Sequence, residues 1–208
     1  MGLKSCVGDL LDRRFFKKAK RTHDVEHLKK LFDQFADLCA ARIKPSAPKD
    51  AKAQYSLGFS AGRTGGYRAP YKEVYWESQV GFVLESSVEE HTPFAFIGFR
   101  MGHDAIDVIQ IQGIRGKKEA LRSLHWELLL LDLVIEYARL HRLKRVYVLP
   151  ARWNSYNPLY NDELSVRKGY SAELCRELDK RFRLIYDKNA LKRGFKLNRD
   201  GTRFVLEL

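Results

Sequence analysis

"DVIQIQGIRGKKEALRSLHWELLLLDLVIEYA" runs from Asp107 to Ala138 and joins a β-rich stretch to a helical one. Its opening alternates: Ile106, Val108 and Ile111 are apolar, with Ile109 out of phase, as in a strand that buries one face. Its close sets Leu124, Leu128, Leu131, Ile135 and Ala138 on one helical face and Leu129, Leu133 and Leu140 on another. A helix apolar around so much of its circumference is buried. The spacing predicts that helix over 119–142. Between strand and helix stand Gly113 and Gly116 with the cations Arg115, Lys117, Lys118 and Arg122.

Upstream, "VYWESQVGFVLESS" (74–87) and "PFAFIGFRM" (93–101) are rich in β-branched and aromatic residues. "EEHT" and "GHD" read as the turns that join them to each other and to the strand at 104–112, so three consecutive antiparallel strands are expected. Downstream, "KRVYVLPA" (144–151) is a short apolar strand. Strand, helix and strand in that order predict a right-handed parallel crossover. A polar helical region follows over about 162–182. "LIYDKNALKRGF" reads as a helix closing at Gly194, and "FKLNRDGTRFVLEL" as a hairpin turning at Asp200-Gly201.

Toward the N-terminus, Val25, Leu28, Leu31, Phe32, Phe35, Leu38 and Cys39 form a helical stripe over about 24–43, capped by Thr22 or Asp24 and stopped by Pro45 and Pro48. "LLDRRFFKKAKR" (10–21) reads as a basic amphipathic helix or arm. The organisation expected is a basic helical segment over 1–45, a Gly/Pro-rich loop or linker over 46–73, and a main domain over 74–208.

A chain of 208 residues with 45% hydrophobic content, 12 Phe and 10 Tyr is built to pack a core rather than remain disordered. Asp132 and Glu136 interrupt its most apolar run, so no transmembrane segment is expected. The acidic and basic residues from Asp9 to Arg14 break any signal-peptide pattern, and "MGLKSC" puts Cys6 where a myristoylation motif wants Ser or Thr. Three widely spaced cysteines, Cys6, Cys39 and Cys175, give neither a disulfide framework nor a zinc cluster, and a reducing cytoplasm is the expected location. "HDVEH" (23–27) has the spelling of an inverted zinc-protease motif, but basic surroundings favour an exposed helix start, and no metal is expected. Net charge is +12, and it is uneven: residues 1–73 and 113–208 are basic, while 74–112 carry one Lys+Arg against six Asp+Glu. Such a surface suits a polyanion, whether nucleic acid, a phosphorylated cofactor or an anionic membrane face.

The order of elements resembles the GCN5-related N-acetyltransferase fold. "DVIQIQGIRGKKEALRSLHWELLLLDLVIEYA" is similar to that family's central strand, loop and helix, "RVYVLPARWN" to the following strand with its Asn, and "ALKRGFKLNRDGTRFVLEL" to its helix-to-strand ending. The resemblance implies an α/β (α+β) fold, a mixed, mostly antiparallel sheet of acyl-CoA N-acyltransferase type with a helical N-terminal extension. It implies that Gln112, Gly113, Ile114, Arg115, Gly116, Lys117, Lys118 and Ala120 bind the pyrophosphate of acetyl-CoA or another acyl-CoA. Helix N-termini favour phosphate by their free N–H groups and their dipole, and glycine admits phosphate close to the backbone. It implies that Asn154 orients the amine acceptor. The first 73 residues supply either the family's first strand and helices or an added module.

The chain departs from the family's pattern in three places. The usual loop reads Gln or Arg, two residues, Gly, one residue, Gly or Ala; from Arg115 this chain keeps Arg115 and Ala120 but has Lys118 at the middle glycine. The family's acidic Tyr lies four residues before the "GF" glycine, where this chain has Ala190; Tyr186, one turn earlier, is the candidate acid. An additional helix lies between Asn154 and Tyr186. Among other candidates, Asp107 on the central strand is either a general base or part of a solvated strand face. His125 and Glu127 read as ordinary helix-start residues. Trp153, Tyr156 and Tyr160 beside Arg152 either anchor a loop or line an acceptor pocket. Two functions follow: an acyl-CoA-dependent N-acyltransferase acting on an amine, or a non-catalytic relative that binds nucleic acid or a protein partner.

Overall fold

A computed structural model describes residues 22–48, 51–62, 65–89 and 91–208. The arm expected over 10–21 and Cys6 lie outside the described residues.

The first helix, α1 (Thr22–Ala40), buries Leu28, Leu31, Phe35 and Cys39, the stripe expected from its spacing. Residues 46–73, expected as a loop or linker, instead hold a strand of the main sheet. β1 (Tyr55–Ala61) pairs antiparallel with β4 (Val80–Ser86) over its whole length, Tyr55 opposite Ser86 and Ala61 opposite Val80. The Gly and Ser of "YSLGFSA" hid the strand, yet Tyr55, Leu57 and Phe59 supply the alternation that the core requires. β2 (Gly66–Tyr67) and β3 (Tyr75–Trp76) form a small separate hairpin.

β4, β5 (Pro93–Met101) and β6 (Ala105–Gly113) are the three consecutive antiparallel strands expected. Gly98 faces Gln110 and Phe99 faces Val108, so Ile109 is an extra residue in β6. This bulge is the reason its apolar rhythm slips at Ile109. The helix expected over 119–142 begins later, as α2 (Trp126–Leu140). Residues before it are drawn into other bonds: Ile43 bridges Leu124, the Ser123 carbonyl accepts from the Lys44 N–H at 2.9 Å, and the His125 N–H donates to the Arg42 carbonyl at 2.9 Å. Nine residues of α2 are buried, as expected for a helix packed by α1 on one side and the sheet on another.

The chain returns as β7 (Arg145–Val148), parallel to β6, and continues through α3 (Asp162–Lys168) and α4 (Ala172–Arg183). A π-helical turn (Leu184–Lys188) leads into α5 (Asn189–Lys192), which closes at Gly194 with φ +81°. β8 (Lys196–Leu197) and β9 (Phe204–Glu207) then complete a seven-stranded sheet in the order β1-β4-β5-β6-β7-β9-β8. Among the described strands only β6 and β7 run parallel. The result is a mixed, mostly antiparallel sheet. Its main core joins α1, α2 and one sheet face to Tyr186, Ala190 and Phe195; on the opposite face Trp76, Tyr71 and Val74 of the β3 hairpin region pack against Val83 and Phe96. No helix among the described residues is long and apolar enough to cross a membrane.

Candidate active site

The site follows from one mismatch in strand length. β7 pairs with β6 only from Ala105 to Val108, with a last bond from the Leu149 N–H to the Val108 carbonyl. Pro150 then turns the chain away, while β6 runs on to Gly113 against β5. The two strands fork. A buried strand N–H without a ladder partner must find another acceptor. Here the Tyr186 hydroxyl supplies it, accepting from the Ile111 N–H at 2.9 Å. The π turn carries Tyr186 to this point; one inserted residue rotates the helix face, a distortion common at functional sites. Tyr186 is wholly buried, and burial raises the pKa of its hydroxyl far above the phenolic range, against hydrogen bonds with Ile111 and Asn154. The phenol therefore stays protonated.

One cavity of about 820 Å³ opens where the last residues of β6 approach the N-terminus of α2. Lys44, Lys118, Arg122 and Lys192 bring four cations to it, against Glu119 and Glu127. The first N–H groups of α2 have no preceding turn to bond to, so this end attracts anions. Glu127 places a carboxyl group in the first turn of α2. Burial raises its pKa, while a bond to its own backbone N–H and the charges of Lys44 and Lys192 pull it back down. His125 is driven the other way, its pKa lowered first by burial and then by Lys44, Lys192 and Arg42.

The loop residues expected to hold a cofactor are divided by this geometry. Gly113, Ile114 and Lys118 line the cavity. Gln112 is exposed at the end of β6, opposite Phe96. Gly116 takes φ +83° in a turn with open space where a Cβ would stand, Lys117 lies over the Phe94 ring, and the Ala120 carbonyl accepts from the Tyr55 hydroxyl at 2.5 Å. Those contacts hold Lys117 against β5 and Ala120 against β1 rather than in the cavity; Arg115 and Gly116 are exposed and do not line it. Lys44 and Lys192 come from opposite ends of the chain, and no spacing in the sequence links them.

A second cavity, about 480 Å³, lies between the β3 hairpin, β6 and the loop after β7. Asn154 lines it, buried, its Oδ1 accepting from the Tyr156 N–H at 2.9 Å. Asp107 is engaged elsewhere: Arg203 donates to its two oxygens at 3.1 and 3.5 Å. The carboxylate that does line this cavity is Glu77. Gln110 fixes its backbone: the Glu77 N–H donates to Gln110 Oε1 at 3.2 Å, and Gln110 Nε2 donates to the Tyr75 carbonyl at 2.9 Å. Burial raises the pKa of Glu77, opposed by a hydrogen bond from Tyr156 and the charge of Arg100. The same bond pushes the Tyr156 phenol up to about 12. Ile109 of β6 and Leu149, whose N–H makes the last bond from β7 to β6, line this cavity, so it reaches the fork. Glu77 escaped the sequence reading because it follows a two-residue strand with no motif of its own. Of "HDVEH", His27 packs edge-on against His141 with ring centroids 4.5 Å apart.

No family model and no curated protein matches the chain. Solved structures do. The chain is similar to Rv2747 from Mycobacterium tuberculosis, solved with CoA, at 16% identity and a TM-score of 0.29 over 62% of this chain and 76% of that one. It is similar to the GNAT domain of S. lividans PAT at 14% identity and a TM-score of 0.35, over 90% of this chain and 86% of that one. A third similarity is to N-acetylglutamate synthase from Neisseria gonorrhoeae, solved with coenzyme A and N-acetyl-glutamate, at 13% identity and a TM-score of 0.28; it covers 90% of this chain but 34% of the synthase.

Proposed function

We propose that the chain is an acyl-CoA-dependent N-acyltransferase acting on an amine. One observation carries the reading: the β6/β7 fork has a cationic cavity at a helix N-terminus on one side and a carboxylate-bearing cavity on the other. The residues present fit an acyl-CoA. Lys44, Lys118, Arg122 and Lys192 would hold its phosphates together with the first N–H groups of α2, a combination of cations and helix end suited to polyphosphate. Glu127 must yield the helix end, and its raised pKa makes neutralisation easier. The bound group supplies a thioester whose carbonyl carbon can accept an amine.

The protein's own groups then divide the work. The Ile111 backbone and the Tyr186 hydroxyl define the fork, and the protonated phenol is the donor available to a departing thiolate. Asn154 holds that phenol and the loop that walls the acceptor cavity. A second reading, a non-catalytic polyanion binder, is favoured by the same Tyr186 contact, because it occupies an N–H that a reacting carbonyl would otherwise use.

Calorimetry with acetyl-CoA decides between them. Binding is expected, weakened about ten-fold or more by Lys44→Glu with Lys192→Glu and by raised salt. Absence of heat with acetyl-CoA, beside salt-sensitive binding of RNA or DNA, overturns the enzyme reading in favour of the second.

A further inference from the structure

The second cavity joins two opposite charges that no internal ion pair uses up. Glu77 lines it half-buried, and the exposed Arg100 lines the same space, acting on Glu77 through its charge without an ion pair between them among the described residues. Arg203, the other cation lining this space, is already matched by Asp107 at 3.1 Å. A volume of about 480 Å³ suits a small molecule rather than a folded partner. Its charges are the inverse of a zwitterion's.

We propose that the acceptor is a small amine carrying a carboxylate, an amino acid in chemical class, with Glu77 as the general base and Arg100 as the anchor of the carboxylate. This rests on the acyl-transfer reading and names the substrate of that same site. The ammonium of the acceptor gives one proton to the Glu77 carboxylate. The freed nitrogen lone pair forms the N–C bond to the acyl carbon, the C–S bond breaks, and its electron pair leaves on sulfur. The remaining excess nitrogen proton is balanced by protonation of that thiolate, and Glu77 returns its own proton to solvent. Tyr156 and Gln110 are positioning residues: the first bonds the Glu77 carboxyl, the second pins its backbone. The raised pKa of Glu77 makes it a stronger base than an ordinary glutamate.

The test compares free amino acids with the primary amides of the same amino acids, which differ only in the carboxylate. With acetyl-CoA saturating, the free acids are expected to be acetylated with the lower KM. Arg100→Gln should raise that KM about ten-fold or more while leaving KM for the amides unchanged. Glu77→Gln should lower kcat about 100-fold or more on both, with acetyl-CoA binding intact by calorimetry. A preference for the amides, or an equal effect of Arg100→Gln on both series, overturns the proposed substrate class. Unchanged kcat in Glu77→Gln overturns its role as base. Calorimetry of the amino acids without acetyl-CoA separates the two levels. If acetyl-CoA binds and no amino acid does, this inference alone falls; if acetyl-CoA does not bind, the acyl-transfer reading falls and the base role with it.

Discussion

The Tyr186 hydroxyl accepts a hydrogen bond from the Ile111 N–H at 2.9 Å and so closes the fork between β6 and β7 from within. The bond joins residues 75 positions apart and is buried at both ends. It does for the sheet what β7 would have done had it continued past Val148. Tyr186→Phe removes the acceptor and leaves a buried N–H unpaired, at a cost of about 1–3 kcal/mol. Urea denaturation should show that loss as a lower midpoint with an unchanged slope. Acetyl transfer by the variant should lose kcat, with KM for acetyl-CoA little altered.

Gly81 on β4 makes room for the hairpin that carries Glu77. A methyl group there would meet the Trp76 ring at 2.1 Å and the Ile97 carbonyl oxygen at 2.6 Å. The carbonyl belongs to a paired strand and cannot retreat, so Trp76 must move. Gly81→Ala is expected to destabilise the protein by about 1–3 kcal/mol, as overpacking of a filled core does. Because Trp76 precedes Glu77, the variant should also lose acyl transfer beyond its loss of stability. Rates measured well below its melting temperature would show this; full activity there would separate Trp76 packing from Glu77 placement.

The pH response of Glu77 has a definite sign. Burial raises its folded pKa above the ordinary value of 4.5, so the native state keeps a proton that the unfolded chain gives up. Its contribution to stability is therefore complete below about pH 4.5 and is lost as pH rises through the folded value. Activity runs the opposite way, since the base works only when deprotonated. kcat/KM should rise with pH on an acidic limb above the ordinary glutamate range, and Glu77→Gln should flatten that limb. Stability curves of the two proteins should converge toward acid pH and diverge, with the variant the more stable, toward neutrality.

Much of the frame was legible because it rests on local pattern. The alternation of β4, β5 and β6, the all-round apolar surface of α2, and the Asp200-Gly201 turn each declare their element without reference to the rest of the chain. β1 was not legible because Gly58 and Ser60 dilute its rhythm, and its identity comes from pairing with β4. The start of α2 was misjudged for a similar reason: Ser123 is a good cap by type, but Lys44 and Arg42 draw residues 123–125 into strand-like bonds. The candidate site was the least legible part. Glu77 with Gln110, and Lys44 with Lys192, are partners made by the fold, and no spacing along the chain announces them.

Asp132 shows how the fold positions those distant cations. It is buried on α2, with Arg42 Nε 2.6 Å from one oxygen and Arg193 Nη2 2.5 Å from the other. Arg42 lies two residues before Lys44, and Arg193 directly follows Lys192. The carboxylate thus clamps the two segments that carry cations to the α2 N-terminus. Asp132→Asn keeps the shape and removes the charge, leaving two guanidinium groups without their shared counter-ion. The expected loss is about 3 kcal/mol, the lower end for a broken buried pair, because both arginines keep some contact with water. The same variant should bind acetyl-CoA more weakly although Asp132 does not line the cavity. Calorimetry on the folded variant is the decisive measurement: a stability loss with unchanged affinity would mean that Lys44 and Lys192 are placed independently of the clamp.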